Sequence, residues 1–451
     1  MRVLLVRPRR LNAMTLFGGI ACEPLELETL LPACRAAGAE AAIYDGITES
    51  RPLSRVVRGF APDVVAVTGY LTQEREMRAY ARLAKAAAPG CTVVLGGVHA
   101  QLCHRRLHWP EADYVFRSES AAEFRRLLEG LAAGAVPGDI PGLCRRTGEG
   151  WAETPYVPGD MDGLPLPDRS GWAARADWFR YLDWPRISTL KTAASCPFSC
   201  RFCYGRNLHG GQYQARRLDL VLDELEQVPG ETVFIVDSDF LLDEGRVRAF
   251  LAGVRDRGIR KRYLCYARAD FIAAHPALVG ELCQTGFAAF LVGLEGITDQ
   301  KLATWDKGTT RRVNEACLAV LAEHGADCVA LLLADPDFQK EDFCALYRWV
   351  KETPLRYVSV QILTPLPETP LFDEKMAGLD GAESPNLRSF DLTHLVLPPK
   401  YMTRRSYRLR YWLLLLRLAL LGFRRGAYRF VTPAYLAKTA ARALRRAAAL
   451  R

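Results

Sequence analysis

The chain lacks a run long enough to cross a bilayer. Its apolar stretch Trp412–Phe423 is too short and is cut by Arg417. No secretory leader is expected, since Met1-Arg-Val-Leu-Leu-Val enters a strand at once. No internal repeat or low-complexity linker interrupts the 451 residues, apart from an Ala/Arg-rich end. The thirteen cysteines are too scattered for a disulfide framework, and a reducing cytoplasm is expected. Acid is absent from Tyr401 onward, where thirteen Lys or Arg stand alone. The net charge of +9 therefore belongs to the tail, and the first 400 residues hold 47 bases against 51 acids. A nucleic-acid partner is not expected, because that acidic remainder would repel a long polyanion.

What is present centres on Ala-Ala-Ser-Cys-Pro-Phe-Ser-Cys-Arg-Phe-Cys-Tyr, with Cys196, Cys200, Cys203 and the aromatic Tyr204. Three thiolates on one short loop can hold three corners of an iron–sulfur cube and leave one iron open. Two other readings exist. The loop could be a zinc knuckle completed by His209, or the cysteines could be ordinary packed thiols.

Residues 1–140 alternate strands with helices, as in a Rossmann-like sheet covered on both faces. Strands are expected at Val3–Val6, Ala41–Tyr44, Val64–Val67, Thr92–Leu95 and Tyr114–Phe116, with helices at Leu25–Ala36 and Glu74–Ala87. Ligands bind beyond the carboxyl ends of such strands, where Gly69, Gly96 and Gly97 allow close approach or simply end the strand. GxGxxG is missing after the first strand, so a dinucleotide is not expected. His99, Cys103, His104 and His108 read better as a solvated helix face than as a metal site.

Residues 141–188 read as a connector with a hairpin near Gly142–Trp151 and a proline-stiffened linker. Six strand–helix units follow over 189–365, enough for a partial (β/α)6 barrel. Helices are expected at Leu218–Gln227, Arg246–Arg255, Ala277–Gln284, Val313–His324 and Glu341–Glu352, with strands at Thr232–Val236, Tyr263–Tyr266, Phe290–Val292, Cys328–Leu333 and Tyr357–Ile362. Acids and amides gather at the strand ends: Asp237 and Asp239, Arg268 and Asp270, Glu295, Asp335, Gln361. A cationic sulfonium carrying an amino-acid end and a ribose needs such groups.

CxxxCxxC followed by an aromatic resembles the radical S-adenosylmethionine (SAM) enzymes. Pro62-Asp63-Val64-Val65, Thr68-Gly69, Val94–Ala100 and Arg117–Ser120 are similar to the cobalamin-binding domain that precedes one branch of them. Gly293-Leu294-Glu295, Leu363–Thr369, Glu23–Glu28 and Asp391–His394 look like the hopanoid-methylase branch. The resemblance implies a 4Fe-4S cluster on Cys196, Cys200 and Cys203. It implies SAM near Tyr204, Asp237, Asp239, Arg268, Glu295 and Gln361. Cobalamin would lie near Thr68, Gly69, Tyr70, Leu71, Thr72, Gly96, Gly97, Val98, His99, Ser118 and Glu119. DxHxxG is absent, since Asp45 is followed by Gly46 and Ile47, so no histidine is expected under the cobalt.

The implied function is methylation of an unactivated carbon. A 5′-deoxyadenosyl radical would abstract hydrogen from a small-molecule or lipid-like substrate, and methylcobalamin would deliver the methyl group. Electrons would come from an external donor such as flavodoxin or ferredoxin. The rivals are a radical SAM cyclase, rearrangement or oxidation enzyme, and a zinc-containing nucleic-acid adaptor. Residues 366–451 are expected to be a helical, basic cap. Its tail either packs on the barrel or meets an anionic membrane surface, giving a cytoplasmic protein that associates peripherally with lipid.

Overall fold

In the computed structural model, residues 1–9, 19–376 and 386–448 are described. The chain forms two compact units, residues 1–186 with 207–216 and 432–451, and residues 187–206 with 217–431. The last three residues of the basic tail lie outside the described residues.

The first unit is built on a seven-stranded sheet. Its order is Glu40–Asp45, Arg2–Arg7, Val64–Thr68, Thr92–Gly96, Tyr114–Phe116, Leu143–Thr147 and Gly150–Glu153. The first five strands are parallel, and the last two form an antiparallel hairpin at the edge. Period-two alternation sends neighbouring side chains to opposite faces. Leu4 and Val6 pack with Met77 and Ala81 of helix Glu74–Ala87. Val3 and Leu5 pack with Leu27 and Leu31 of helix Leu25–Ala36 and with Phe124 and Leu127 of helix Ala121–Ala132. Two cores on one buried sheet are the doubly covered arrangement that near-continuous apolar strands require.

The second unit carries six parallel strands in sequence order: Ile187–Leu190, Thr232–Ile235, Arg262–Ala267, Phe287–Glu295, Asp327–Ala334 and Tyr357–Ile362. One set of alternate residues, including Val233, Ile235, Tyr263, Cys265, Phe290 and Val292, packs against helices in a single large core. On the other face the rings of Phe234 and Tyr266 meet at 5.4 Å.

Two boundaries differ from the sequence expectation. The connector hairpin extends the first sheet instead of standing apart, because residues 143–147 pair with Tyr114–Phe116. The C-terminal region is split. Helix Arg404–Arg424 belongs to the barrel unit, and helix Pro433–Ala448 belongs to the first unit. The first of these is fixed by phenols: the Tyr407 hydroxyl donates to the carbonyls of Ala334 and Asp335, and that of Tyr411 donates to the carbonyl of Val360. Both rings are buried, and their hydroxyls satisfy strand-end carbonyls that water cannot reach.

Candidate active site

At the barrel's carboxyl ends, Asp237 braces the start of the cysteine loop. Its carboxylate accepts from the Thr192 amide at 2.6 Å, the Ala193 amide at 3.0 Å and the Thr192 hydroxyl at 2.5 Å. Burial pushes this carboxyl up, and the three hydrogen bonds oppose that push. A cofactor role was expected for Asp237, but the structure turns its oxygens to the Thr192 and Ala193 amides and the Thr192 hydroxyl. It is a positioning residue.

The loop itself is held at several points. The Ser195 hydroxyl donates to the Arg206 carbonyl at 3.0 Å, and the Arg201 amide donates to the Trp305 carbonyl at 3.1 Å. The Gly205 amide lies 3.4 Å from the Cys203 sulfur. The Arg268 guanidinium stacks 3.8 Å over the Phe198 ring, reaches within 4.0 Å of the Cys200 sulfur and donates to the Lys307 carbonyl at 2.7 Å. Although Cys203 as a residue is exposed, shielding of its thiol and the neighbouring Cys200 and Cys196 push it up to about 11. Such thiols become thiolates when a metal supplies the charge.

Asp239, two residues beyond Asp237, is buried, and neither oxygen makes a hydrogen bond of ordinary geometry among the described residues. The Leu241 amide pulls on it weakly. Burial pushes its carboxyl up to about 7, against the pull of Arg268 and Lys307. A buried acid left without donors costs free energy unless a ligand supplies them.

Glu295 lies beyond a bulge in the fourth strand and has a φ of 58°, which re-aims its side chain. Its carboxylate pairs with the Lys307 ammonium at 3.1 Å, both nearly buried. Burial opposes the lysine's charge, but Glu295 and Cys200 outweigh it and hold its pKa above the ordinary value. Gly293 leaves room beneath this pair: a Cβ there would sit 2.5 Å from the Glu295 Oε1 and 2.7 Å from the Lys307 Nζ, both ends of flexible side chains. Sequence reasoning missed Lys307. The signal available was a strand-end glutamate followed, after a short helix, by a lone lysine before Gly308.

Thus Cys196, Cys200, Cys203, Asp239, Arg268 and Glu295 form one electrostatically linked group. Tyr204 stands next to it, its phenol pushed up to about 12 by burial and by Cys203. Gln361 ends the sixth strand, half-buried, opposite Leu333. The three thiols, the cations and an acid with no well-formed hydrogen bond among the described residues suit a cluster and the charged ends of SAM.

In the first unit the expected residues divide. Gly69 lies under helix Glu74–Ala87, where a Cβ would sit 2.5 Å from the Met77 sulfur. Leu71 is buried, and so is His99, whose Nε2 lies 2.9 Å from the Glu74 carboxylate. These three were expected to face cobalamin, and packing turns them inward. Gly97 has a φ of 87°, and a Cβ there would meet the Thr68 hydroxyl at 2.3 Å. Val98 begins the short helix after it. The Ser118 hydroxyl accepts from the Ser120 amide, and the Glu119 carboxylate accepts from the Gln101 amide group. Tyr70 is exposed, Thr72 is partly exposed, and Gly96 has no atom closer than 3.9 Å to its Cβ position. A flat ligand could approach the backbone there. Among the described residues His209 does not group with the three cysteines as metal ligands. It belongs to the first unit, with its backbone amide on Gln101 and its ring on Gln214.

Comparison with known proteins agrees with this division. Residues 13–128 match the B12 binding domain and residues 190–350 the radical SAM superfamily. The chain is 28% identical over 411 residues to hopanoid C-3 methylase of Methylococcus capsulatus, covering 89% of this chain and 77% of that one. Its fold is similar to that of TsrM from Kitasatospora setae, a radical SAM methyltransferase with cobalamin and a 4Fe-4S cluster bound. The TM-score is 0.67 at 20% identity, over 85% of this chain and 76% of that one. It is also similar to OxsB, a cobalamin-dependent SAM radical enzyme, with a TM-score of 0.71 at 16% identity, over 91% and 66%. The chain thus carries a B12 binding domain followed by a radical SAM domain.

Proposed function

We propose that the enzyme methylates an unactivated carbon of an apolar, lipid-like small molecule. The observation that carries the site is Asp239, a buried carboxylate with no hydrogen bond of ordinary geometry among the described residues, beside the three-cysteine loop. Cys196, Cys200 and Cys203 would hold the cluster. Asp239 would accept from the ammonium or hydroxyl donors of SAM, and Arg268 or the Lys307–Glu295 pair would meet its carboxylate. The strand ends around Tyr70, Thr72 and Gly96 would take cobalamin. When bound, these groups supply hydrogen abstraction and methyl delivery, and the cofactors carry that chemistry. The chain's own work is to orient them and to keep the site dry. Asp237 and Ser195 fix the loop, while Arg268 and Lys307 offset the negative charge that thiolates bring.

An external one-electron donor such as flavodoxin or ferredoxin belongs to this reading. So does peripheral contact with a membrane, from which an apolar substrate would arrive.

The test is an anaerobic reaction with cobalamin and methyl-labelled SAM on a lipid extract. A labelled, carbon-methylated lipid formed with 5′-deoxyadenosine is expected. Production of 5′-deoxyadenosine with an altered but unlabelled product would favour cyclisation, rearrangement or oxidation.

A further inference from the structure

Helix Arg404–Arg424 is apolar on two opposite sides. Tyr407, Tyr411, Leu414, Leu418 and Gly422 recur at helical spacing and are buried against the barrel. Leu409, Trp412, Leu413, Leu416, Leu420 and Phe423 fall about half a turn away, on the outer side, and each is 47–62% exposed. Packing on the barrel explains the first set and leaves the second unexplained. A continuous stripe of six large apolar side chains is more than a protein surface carries by chance.

Arginines border this stripe. Arg405, Arg408 and Arg424 are exposed, and the helix contains no acid. Not every arginine of the region is available. Arg425 donates to the carbonyls of Val350, Lys351, Thr353 and Leu355 at the end of helix Lys340–Glu352, where a cation satisfies otherwise open carbonyls. Arg417 stacks 3.8 Å over the Tyr347 ring. No helix among the described residues is long and apolar enough to cross a membrane.

We infer that the outer side of helix Arg404–Arg424 is a docking surface for an anionic bilayer, with the helix lying in the interfacial plane. This deepens the peripheral contact proposed above by naming the surface. The apolar stripe enters the acyl boundary, and Arg405, Arg408 and Arg424 meet lipid phosphates. Charge decides between this occupant and a second copy of the chain. Two such helices packed face to face would bring arginine rims together with no acid on the helix to answer them. A membrane of anionic lipid answers every one.

The test uses the full-length protein with vesicles of phosphatidylcholine and phosphatidylglycerol at three to one. Binding is expected to the mixed vesicles, to fall severalfold between 0.1 and 0.5 M salt, and to be weak on phosphatidylcholine alone. Leu413→Ser, Leu416→Ser and Leu420→Ser together should cut binding at least tenfold. These side chains are exposed, so unchanged thermal unfolding checks the fold. Arg405→Gln, Arg408→Gln and Arg424→Gln should remove most of the salt dependence, while Arg425→Gln should instead lower stability. Both sets should leave iron content and 5′-deoxyadenosine formation in detergent unchanged, so a failure of docking is separable from a failure of the proposed reaction. Wild-type recovery in the supernatant, or wild-type binding by the serine variant, would overturn the inference. So would a dimer in solution that the serine substitutions dissociate, which would assign the stripe to a second copy.

Discussion

The two sets of strand ends in this protein are finished in opposite ways. Those of the barrel gather charge that the protein leaves partly unanswered: among the described residues Asp239 has no hydrogen-bond donor of ordinary geometry, and the Lys307–Glu295 pair lies over Gly293. Those of the first sheet answer their charges internally. Asp45 is closed by Arg7 and by the Ile47 amide, Glu74 by His99 and Arg106, and Glu119 by Gln101. What remains open there is backbone and space, at Gly96 and around exposed Tyr70. The difference teaches what each surface recognises. A small zwitterionic ligand is held by buried charge, since charge-assisted bonds in a shielded site are strong. A large flat one needs room and close backbone approach.

The hardest blow to the barrel side is loss of a thiol. Replacing Cys196, Cys200 or Cys203 by Ala should remove most of the iron and abolish SAM cleavage. Cys103→Ala and Cys283→Ala should retain both, which iron analysis and 5′-deoxyadenosine formation would show. A full four-iron complement in all three loop variants would erase the distinction between the two sets of strand ends.

The two neighbouring aspartates give a smaller and more selective test. Asp239 is an acid whose pKa in the folded protein, about 7, lies above its ordinary value of 3.8. Well below pH 3.8 it is neutral in both folded and unfolded chains and costs nothing. As pH rises from there to 7 the unfolded chain ionises first, and stability is lost. Asp239→Ala should therefore be more heat-stable than wild type at pH 7.5, with the gain shrinking toward pH 4.5. It should also bind SAM at least tenfold more weakly, roughly 1.4 kcal/mol. Asp237→Ala strands the buried Thr192 and Ala193 amides, and each unpaired group costs about 1–3 kcal/mol. That variant should melt lower at every pH and hold less iron. If both substitutions lower the melting temperature alike, Asp239 is a structural acid too.

This pair also marks how far the sequence is legible. Helices Leu25–Ala36, Glu74–Ala87 and Leu218–Gln227 and strand Tyr357–Ile362 have the bounds that periodicity predicts. Local pattern is enough where one face is buried. Asp237 and Asp239 look equivalent in Val-Asp-Ser-Asp, because what separates them is the amide and hydroxyl of Thr192, 45 residues away from Asp237. Strand Phe287–Glu295 runs to nine residues, well beyond the expected Phe290–Val292, because Gly293 sits at a bulge and does not end it. Lys307 follows a six-residue helix too short to give a periodic signal. In the tail, counting charge found the basic region but not that Arg425 is consumed as a helix-end donor.

The glycines at the end of the fourth strand of the first sheet sharpen the other half of the comparison. Gly96 and Gly97 are adjacent, yet the chain needs them for different reasons. At Gly97 a side chain meets two obstacles, a left-handed backbone and the Thr68 hydroxyl and Gly69 amide at 2.3 and 2.8 Å. Backbone cannot step aside as a flexible side chain can, so Gly97→Ala should lower stability by about 1–3 kcal/mol. The loss should appear as a lower melting temperature whether or not cobalamin is present. At Gly96 the Cβ position is open, its nearest neighbour the Phe116 Cβ at 3.9 Å, and its φ is not in the left-handed region. Gly96→Val suits a strand end and should leave the melting temperature of the cobalamin-free protein within about 1 kcal/mol of wild type. Its branched side chain would stand where a flat ligand must approach, so cobalamin retained after anaerobic reconstitution should fall several-fold. Full cobalamin binding by Gly96→Val would move the ligand away from this strand end, and would leave Gly96 as a mere strand terminator.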